Sequence, residues 1–262
     1  MTVSLEVVPR NREALSAAAV IAAKFDSIGL INVADLLRFS LRSWEACAIL
    51  REEGAAGGGP HAAGPGLMPH IRAIDFDMDE PFPLAGYFRS RGIGKVLVIA
   101  GDPPNPKTGS GNLPGRRIYP TETVPFIRKL RAEMPELEVY AAFDPYRSNI
   151  RYELDYLKEK EEAGAAGFMS QPFFDLRLLE IYAEYLEGKN VFWGISPTLS
   201  ESSRRYWESR NRAVFPRNFR PDMYWNVDFG RRVLYFCETN RFNLYLMPIK
   251  IDLVSYLQGL FG

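Results

Sequence analysis

Seven polar residues fall at or near the carboxyl ends of apolar runs: Glu6, Asn32, Asp35, His70, Asp102, Asp144 and Gln171. Acids, amides and one imidazole in such places can do general acid–base chemistry and hydrogen-bonded recognition. Schiff-base chemistry is disfavoured, because no lysine lies inside a strand. No Ser-His-Asp or Cys-His arrangement emerges either, since Cys47 falls on a helix. Glu6 interrupts the apolar run Val3–Val8, and a carboxylate there is costly unless it is paired or faces a cavity. Glu6 and Asp102 together can serve as an acid–base pair, and a glycosidase would use two such carboxylates. The plainer reading of each acid is a satisfied structural group. Gln171 lies in Ala163–Asp175, AGAAGFMSQPFFD. There a small-residue turn is followed by the buried run Gly167–Ser170, then by Gln171 beside Phe173 and Phe174. A polar residue at the carboxyl end of a buried strand, next to aromatics, is where parallel α/β proteins bind ligands. Its plainer reading is a loop amide beside a core Phe pair.

These residues need elements to hold them. Strands are expected at Val3–Val8, Gly29–Ala34, Met68–Ile74, Lys95–Gly101, Glu138–Phe143, Gly167–Ser170, Asn190–Ile195 and Phe242–Pro248. Helical patterns cover Arg12–Phe25, Ser43–Arg51, Thr121–Glu133, Asn149–Ala163, Leu176–Glu187, a segment from Ser200, Asp228–Asn240 and Ile251–Phe261. Eight short apolar strands, most followed by a helix, predict an α/β protein with a (β/α)₈ TIM barrel over residues 1–262 as a single domain. A doubly wound open sheet competes, but no GxGxxG follows the first strand. Gly54–Gly66 is a Gly, Ala and Pro loop carrying His61, expected to be flexible, and Asn105–Tyr119 is a second long polar loop. In a barrel the active site lies at the carboxyl ends of the strands, where the seven polar residues gather.

The balance of 32 basic and 32 acidic residues gives no basic excess for a nucleic-acid partner. Two histidines, with no CxxC or HExxH, give no metal site. Cys47 and Cys237 fit a reduced compartment, core packing or a single disulfide. No run approaches the ~20 apolar residues of a membrane span, and the first residues lack a signal-peptide profile. The cytoplasm is the expected location.

Six segments, in order, resemble the methylenetetrahydrofolate reductase family. Ser4-Leu5-Glu6-Val7-Val8-Pro9 is similar to its S-F-E-F/V-F-P strand, and Met68-Pro69-His70-Ile71 to its P-H-L/I strand. Gly101-Asp102-Pro103-Pro104 resembles R-G-D-x-P, and Ala141-Ala142-Phe143 resembles A-A-Y. Ala163-Gly164-Ala165 through Gln171-Pro172-Phe173-Phe174-Asp175 resembles D-A-G-A…T-Q-F-F-F-D, and Gly194-Ile195-Ser196-Pro197 resembles G-I-L-P. The resemblance implies a flavin-dependent oxidoreductase of one-carbon metabolism, on the route to methionine. It would use FAD as cofactor, with NAD(P)H and methylenetetrahydrofolate as substrates. It implies Glu6 as general acid, Asp102 beside flavin and pterin, and Gln171 on whichever substrate stacks on the flavin. His70, Tyr119 and Phe143 match flavin-contacting positions. Glu153 and Lys160 match positions holding the FAD ribose and phosphates; a solvated helix face is their plainer reading. Phe174 and Trp207 fall at substrate-side aromatics.

The sequence departs from the family pattern at Ala34, Ala100, Phe143 and Ile249, where the family carries Thr, Arg, Tyr and the Arg of L-N-R. Two alternatives therefore stand beside the reductase: a relative that receives electrons from a partner subunit, and a non-catalytic folate- or flavin-binding subunit. A homo-oligomer or a partner subunit fits this reading. The basic stretch with Arg210, Arg212, Arg217 and Arg220 reads as an exposed loop or as a contact for the folate glutamate tail.

Overall fold

Side chains leave a strand on alternate faces, so β1 (Val3–Val7) has two characters. Val3, Leu5 and Val7 join the core between strands and helices, while Ser4 and Glu6 point the other way. The computed structural model describes residues 1–56, 65–103 and 117–262. In it β1, β2 (Ile28–Val33), β3 (Gly66–Arg72), β4 (Lys95–Ile99), β5 (Glu138–Phe143), β6 (Gly167–Ser170), β7 (Val191–Ile195) and β8 (Asn243–Leu246) close in sequence order. Every pairing is parallel, and β8 returns to β1 with Leu5 opposite Leu246. The expected (β/α)₈ barrel is what forms.

Helices α1 (Arg12–Ala22), α2 (Ser43–Ala56), α3 (Ala85–Arg91), α4 (Thr123–Glu133), α5 (Ile150–Glu162), α6 (Leu176–Tyr185), α7 (Glu201–Asn211), α8 (Met223–Asn240) and α9 (Leu253–Phe261) complete the element order. Side-chain acceptors start several of them. Asn149 Oδ1 takes the Tyr152 N–H at 2.9 Å, and Asp222 Oδ1 takes the Trp225 N–H at 2.8 Å. The Asp222 cap sets the start of α8 at Met223, five residues before the expected Asp228. Helix α3 was not expected, because seven residues with one buried apolar side chain, Phe88, show no period. Strand β3 ends at Arg72 rather than Ile74, where Ala73–Asp75 form a 3-10 turn. Most of the Gly54–Gly66 loop and of the Asn105–Tyr119 loop lies outside the described residues.

Two hydrophobic layers result. Inside the barrel lie Leu30, Met68, Leu97, Tyr140, Met169, Phe192, Tyr245 and Met247. Between barrel and helices lies the larger layer that holds Trp193, Phe143, Tyr182 and Phe173. Both cysteines are buried and free. Among the described residues, no helix is long and apolar enough to cross a membrane.

Gly194 is inward on β7, and a Cβ there would meet Met247 Cε at 2.5 Å and the Ser170 carbonyl oxygen at 2.6 Å. Its absence lets the turn after β6 close: the Phe173 N–H reaches Gly194 O at 2.8 Å. Gly194→Ala is expected to cost about 1–3 kcal/mol, as overpacked cores do. A thermal melt should fall by about 2–4 °C per kcal/mol; an unchanged midpoint would count against this packing account.

Candidate active site

Glu6 sits at the carboxyl end of β1, opposite Asn32 of β2. Its Oε2 accepts the hydroxyl of Tyr245 from β8. It keeps some surface at the barrel mouth, yet burial of the carboxyl raises its pKa to about 7, against a lowering pull from the Tyr245 hydrogen bond. Beside it, Asn32 donates its amide to Ser4 Oγ at 2.7 Å, and His70 Nε2 lies 3.1 Å from Asn32 Oδ1. Because the Asn32 nitrogen serves Ser4, its oxygen is the acceptor, which assigns the His70 proton to Nε2. Burial pushes the His70 pKa down to about 3, so the ring is neutral. Ser4, Asn32 and His70 thus form a neutral hydrogen-bonded row on the inner face of β1–β3, beside one protonatable acid.

Asp102 follows β4 through Gly101, whose φ of 86° is in the left-handed region. A Cβ at Gly101 would fall 2.8 Å from Arg72 Nε and 2.9 Å from Ile74 Cγ1. Arg72, buried at the end of β3, donates from Nη2 to the Asp102 carbonyl at 2.5 Å and lies 3.6 Å from Asp75. This fixes the Asp102 backbone while its side chain is 84% exposed, with Arg210 Nη2 at 3.4 Å. Asp35, the other acid near this side, is held by Arg42 at 3.0 and 2.7 Å, and the same guanidinium reaches Asp75 at 2.8 Å. Asp35 is therefore a structural partner.

Gln171, at the end of β6, accepts from Asn211 Nδ2 at 3.3 Å. So Arg210 and Asn211, the last residues of α7, touch two of the three expected catalytic residues. Phe174 and Trp207 are brought together, with ring centroids 5.6 Å apart, but both are buried in a cluster with Phe215, which stacks on Phe174 at 4.2 Å. Neither ring is exposed at the mouth. Tyr146 of the same cluster also lines a cleft of about 210 Å³ with Asp144, Arg147, Arg210, Asn211 and Arg212. A larger cleft of about 420 Å³ lies between α6 and α8, lined by Glu180, Asp228 and Tyr235 among others, and includes none of the strand-end residues.

Glu153 and Lys160 of α5 are not on a solvated face: they are 2% and 3% exposed. Glu153 Oε1 accepts the Asp144 N–H at 3.2 Å, and its buried Oε2 has no hydrogen-bond partner. Lys160 Nζ donates to Ala142 O at 2.8 Å and lies 4.0 Å from the Tyr156 ring centroid. Burial lowers the Lys160 pKa to about 8, and the Glu153 charge opposes that drop. Phe143 faces the outer layer, against Tyr182 and Trp193 at 5.9 and 6.0 Å. Only its backbone is left to meet a ligand at the mouth. Tyr119 is half-buried and its N–H donates to Ile74 O at 2.8 Å, beside the end of β3.

The site residues not singled out from sequence are Tyr245, Arg72 and Asn211. Period two offered a signal for two of them: Arg72 follows inward His70 by two, and Tyr245 alternates with the outer-layer residues Leu244 and Leu246. Among the described residues, no group of three or more His, Cys, Asp and Glu is placed to hold a metal ion.

Comparison with known proteins adds three findings. A family model described as methylenetetrahydrofolate reductase matches residues 66–198, about half of the chain. A curated relative, the 5,10-methylenetetrahydrofolate reductase of Buchnera aphidicola subsp. Schizaphis graminum (strain Sg), is 25% identical over 156 residues. That match covers 57% of this chain and 50% of the relative, so the chain spans about half the length of the curated relative it matches. Solved structures share the fold alone. The carboxyl transferase domain of Rhizobium etli pyruvate carboxylase superposes with a TM-score of 0.54 at 13% identity, over 100% of this chain and 43% of that one. Oxaloacetate acetylhydrolase gives 0.55 at 8% identity, over 98% and 78%.

Proposed function

Since the chain belongs to the methylenetetrahydrofolate reductase family, we propose that it reduces 5,10-methylenetetrahydrofolate to 5-methyltetrahydrofolate, with FAD as cofactor and NAD(P)H as donor. The observation that carries this reading is Glu6: an acid at the barrel mouth whose pKa lies near 7. Opening the folate's five-membered ring needs a proton on the nitrogen that leaves the bridging carbon. A carboxyl still protonated near neutral pH supplies it. Asp102, exposed on a fixed backbone, accepts hydrogen bonds from the pterin. Gln171 presents an amide to whichever substrate is bound.

FAD fits the residues present on one observation, the open acceptor at Glu153 Oε2. A ribose hydroxyl would satisfy it, and a phosphate near Lys160 would offset the cost of that buried cation. His70, Tyr119 and Asp102 would line the ring end. When bound, FAD supplies hydride transfer between donor and folate.

Absorbance tests the proposal. The purified protein, supplied with FAD, should show a flavin band that bleaches with NADH or NADPH without oxygen and returns with methylenetetrahydrofolate. A protein that takes up no FAD overturns the reading. A flavin that ignores both nicotinamides, yet is reoxidised by the folate after chemical reduction, assigns the electron supply to a partner subunit.

A further inference from the structure

We propose that Tyr245 is a positioning residue for Glu6: its hydroxyl holds Oε2, so that Oε1 is the oxygen that carries the proton to the substrate. The inference rests on the reductase reading and deepens it at that site.

The geometry supports it from both partners. Tyr245 stands in the inner layer of the barrel among Leu30, Met68, Met169, Phe192 and Met247. A phenol buried among such side chains needs an acceptor, and the one it has is Glu6 Oε2. Among the described residues, Glu6 Oε1 has no hydrogen-bond partner, and Glu6 keeps surface at the mouth. A carboxyl with one oxygen tied to a donor has its other oxygen free to be protonated. Rotation about the last side-chain torsion, which is otherwise broad, is restricted by the bond.

The groups around Glu6 leave Tyr245 as the one that tunes it. From β2 comes Asn32, which is neutral, and from β1 itself Ser4. From β3 comes His70, joined to Asn32 and neutral. Arg72, further along β3, turns to Asp75 and the Asp102 carbonyl. Burial and the Tyr245 bond are the influences on the acid.

The sign follows. A donor to a carboxylate favours the ionised form. Removing the hydroxyl favours the protonated form, so the acid stays protonated to higher pH. Tyr245→Phe should move the alkaline limb of the folate half-reaction up by about one pH unit. It should also lower the plateau rate by about ten-fold as the acid loses orientation. The donor-to-flavin step should not change. In a Glu6→Gln background, Tyr245→Phe should add nothing to the residual rate. A ring-fluorinated tyrosine at position 245 keeps the packing and donates more strongly, so it should move the limb down; this variant decides the matter where Tyr245→Phe does not fold. If the wild-type protein shows no folate half-reaction, the reductase reading fails. If the wild-type reacts but neither variant moves the limb, the reading stands and the role of Tyr245 is overturned.

Discussion

Glu6→Gln is expected to slow the proposed folate reduction by about 10²–10⁴-fold, while the flavin should still be reduced by its donor at close to the wild-type rate. Gln matches Glu in shape and can still accept the Tyr245 hydroxyl, so the barrel mouth keeps its form. What is lost is the proton. The two half-reactions of the proposed activity should therefore separate, since one needs an acid at the leaving nitrogen and the other does not. Stopped-flow mixing of reduced protein with methylenetetrahydrofolate reads the loss directly. The wild-type step should fall as pH rises through about 7, where Glu6 ionises. The variant's residual rate should show no such limb. A variant with full activity would remove Glu6 from the chemistry.

Trp193→Ala should cost about 3–5 kcal/mol, the range for deleting a buried aromatic. Trp193 is fully buried on β7 and meets Phe143, Phe173 and Phe242 edge-on, at 6.0, 5.6 and 5.5 Å. It is the point at which β5, β7 and the turn after β6 lock together. A melting temperature lower by about 10 °C or more is expected. Trp193→Phe should cost much less, because the indole N–H is buried without a hydrogen-bond partner and leaves with the ring. Equal losses in the two variants would contradict this account.

The strand order was legible because strands buried on both faces are written as short apolar runs, and eight of them recur with helices between. Glu6 and Gln171 stood out as polar residues where such runs end. What was hidden is direction and pairing. Phe143 resembles a cofactor contact by position, yet a strand's last side chain faces either layer, and this one faces Trp193. Asp35 looked available until Arg42, seven residues on, took both of its oxygens. Glu153 and Lys160 lie in the charged run IRYELDYLKEKEE, whose pattern suggests a wet helix face; their burial depends on what packs against α5. Tyr245 lies 239 residues from Glu6, and nothing local connects them.

That separation has a consequence for how the protein is made. The strand that carries the acid is synthesised first of the eight, and the strand that carries its hydroxyl partner last. Until then β1 has an open edge and loop closure across nearly the whole chain remains to be made, the slow kind of step in folding. The docking of β8 removes the last unpaired edge of the sheet. In the same event it brings Tyr245 to Glu6, so a chain stalled short of closure has a carboxylate like any other, and the acid proposed for the chemistry takes on its setting only with the finished fold.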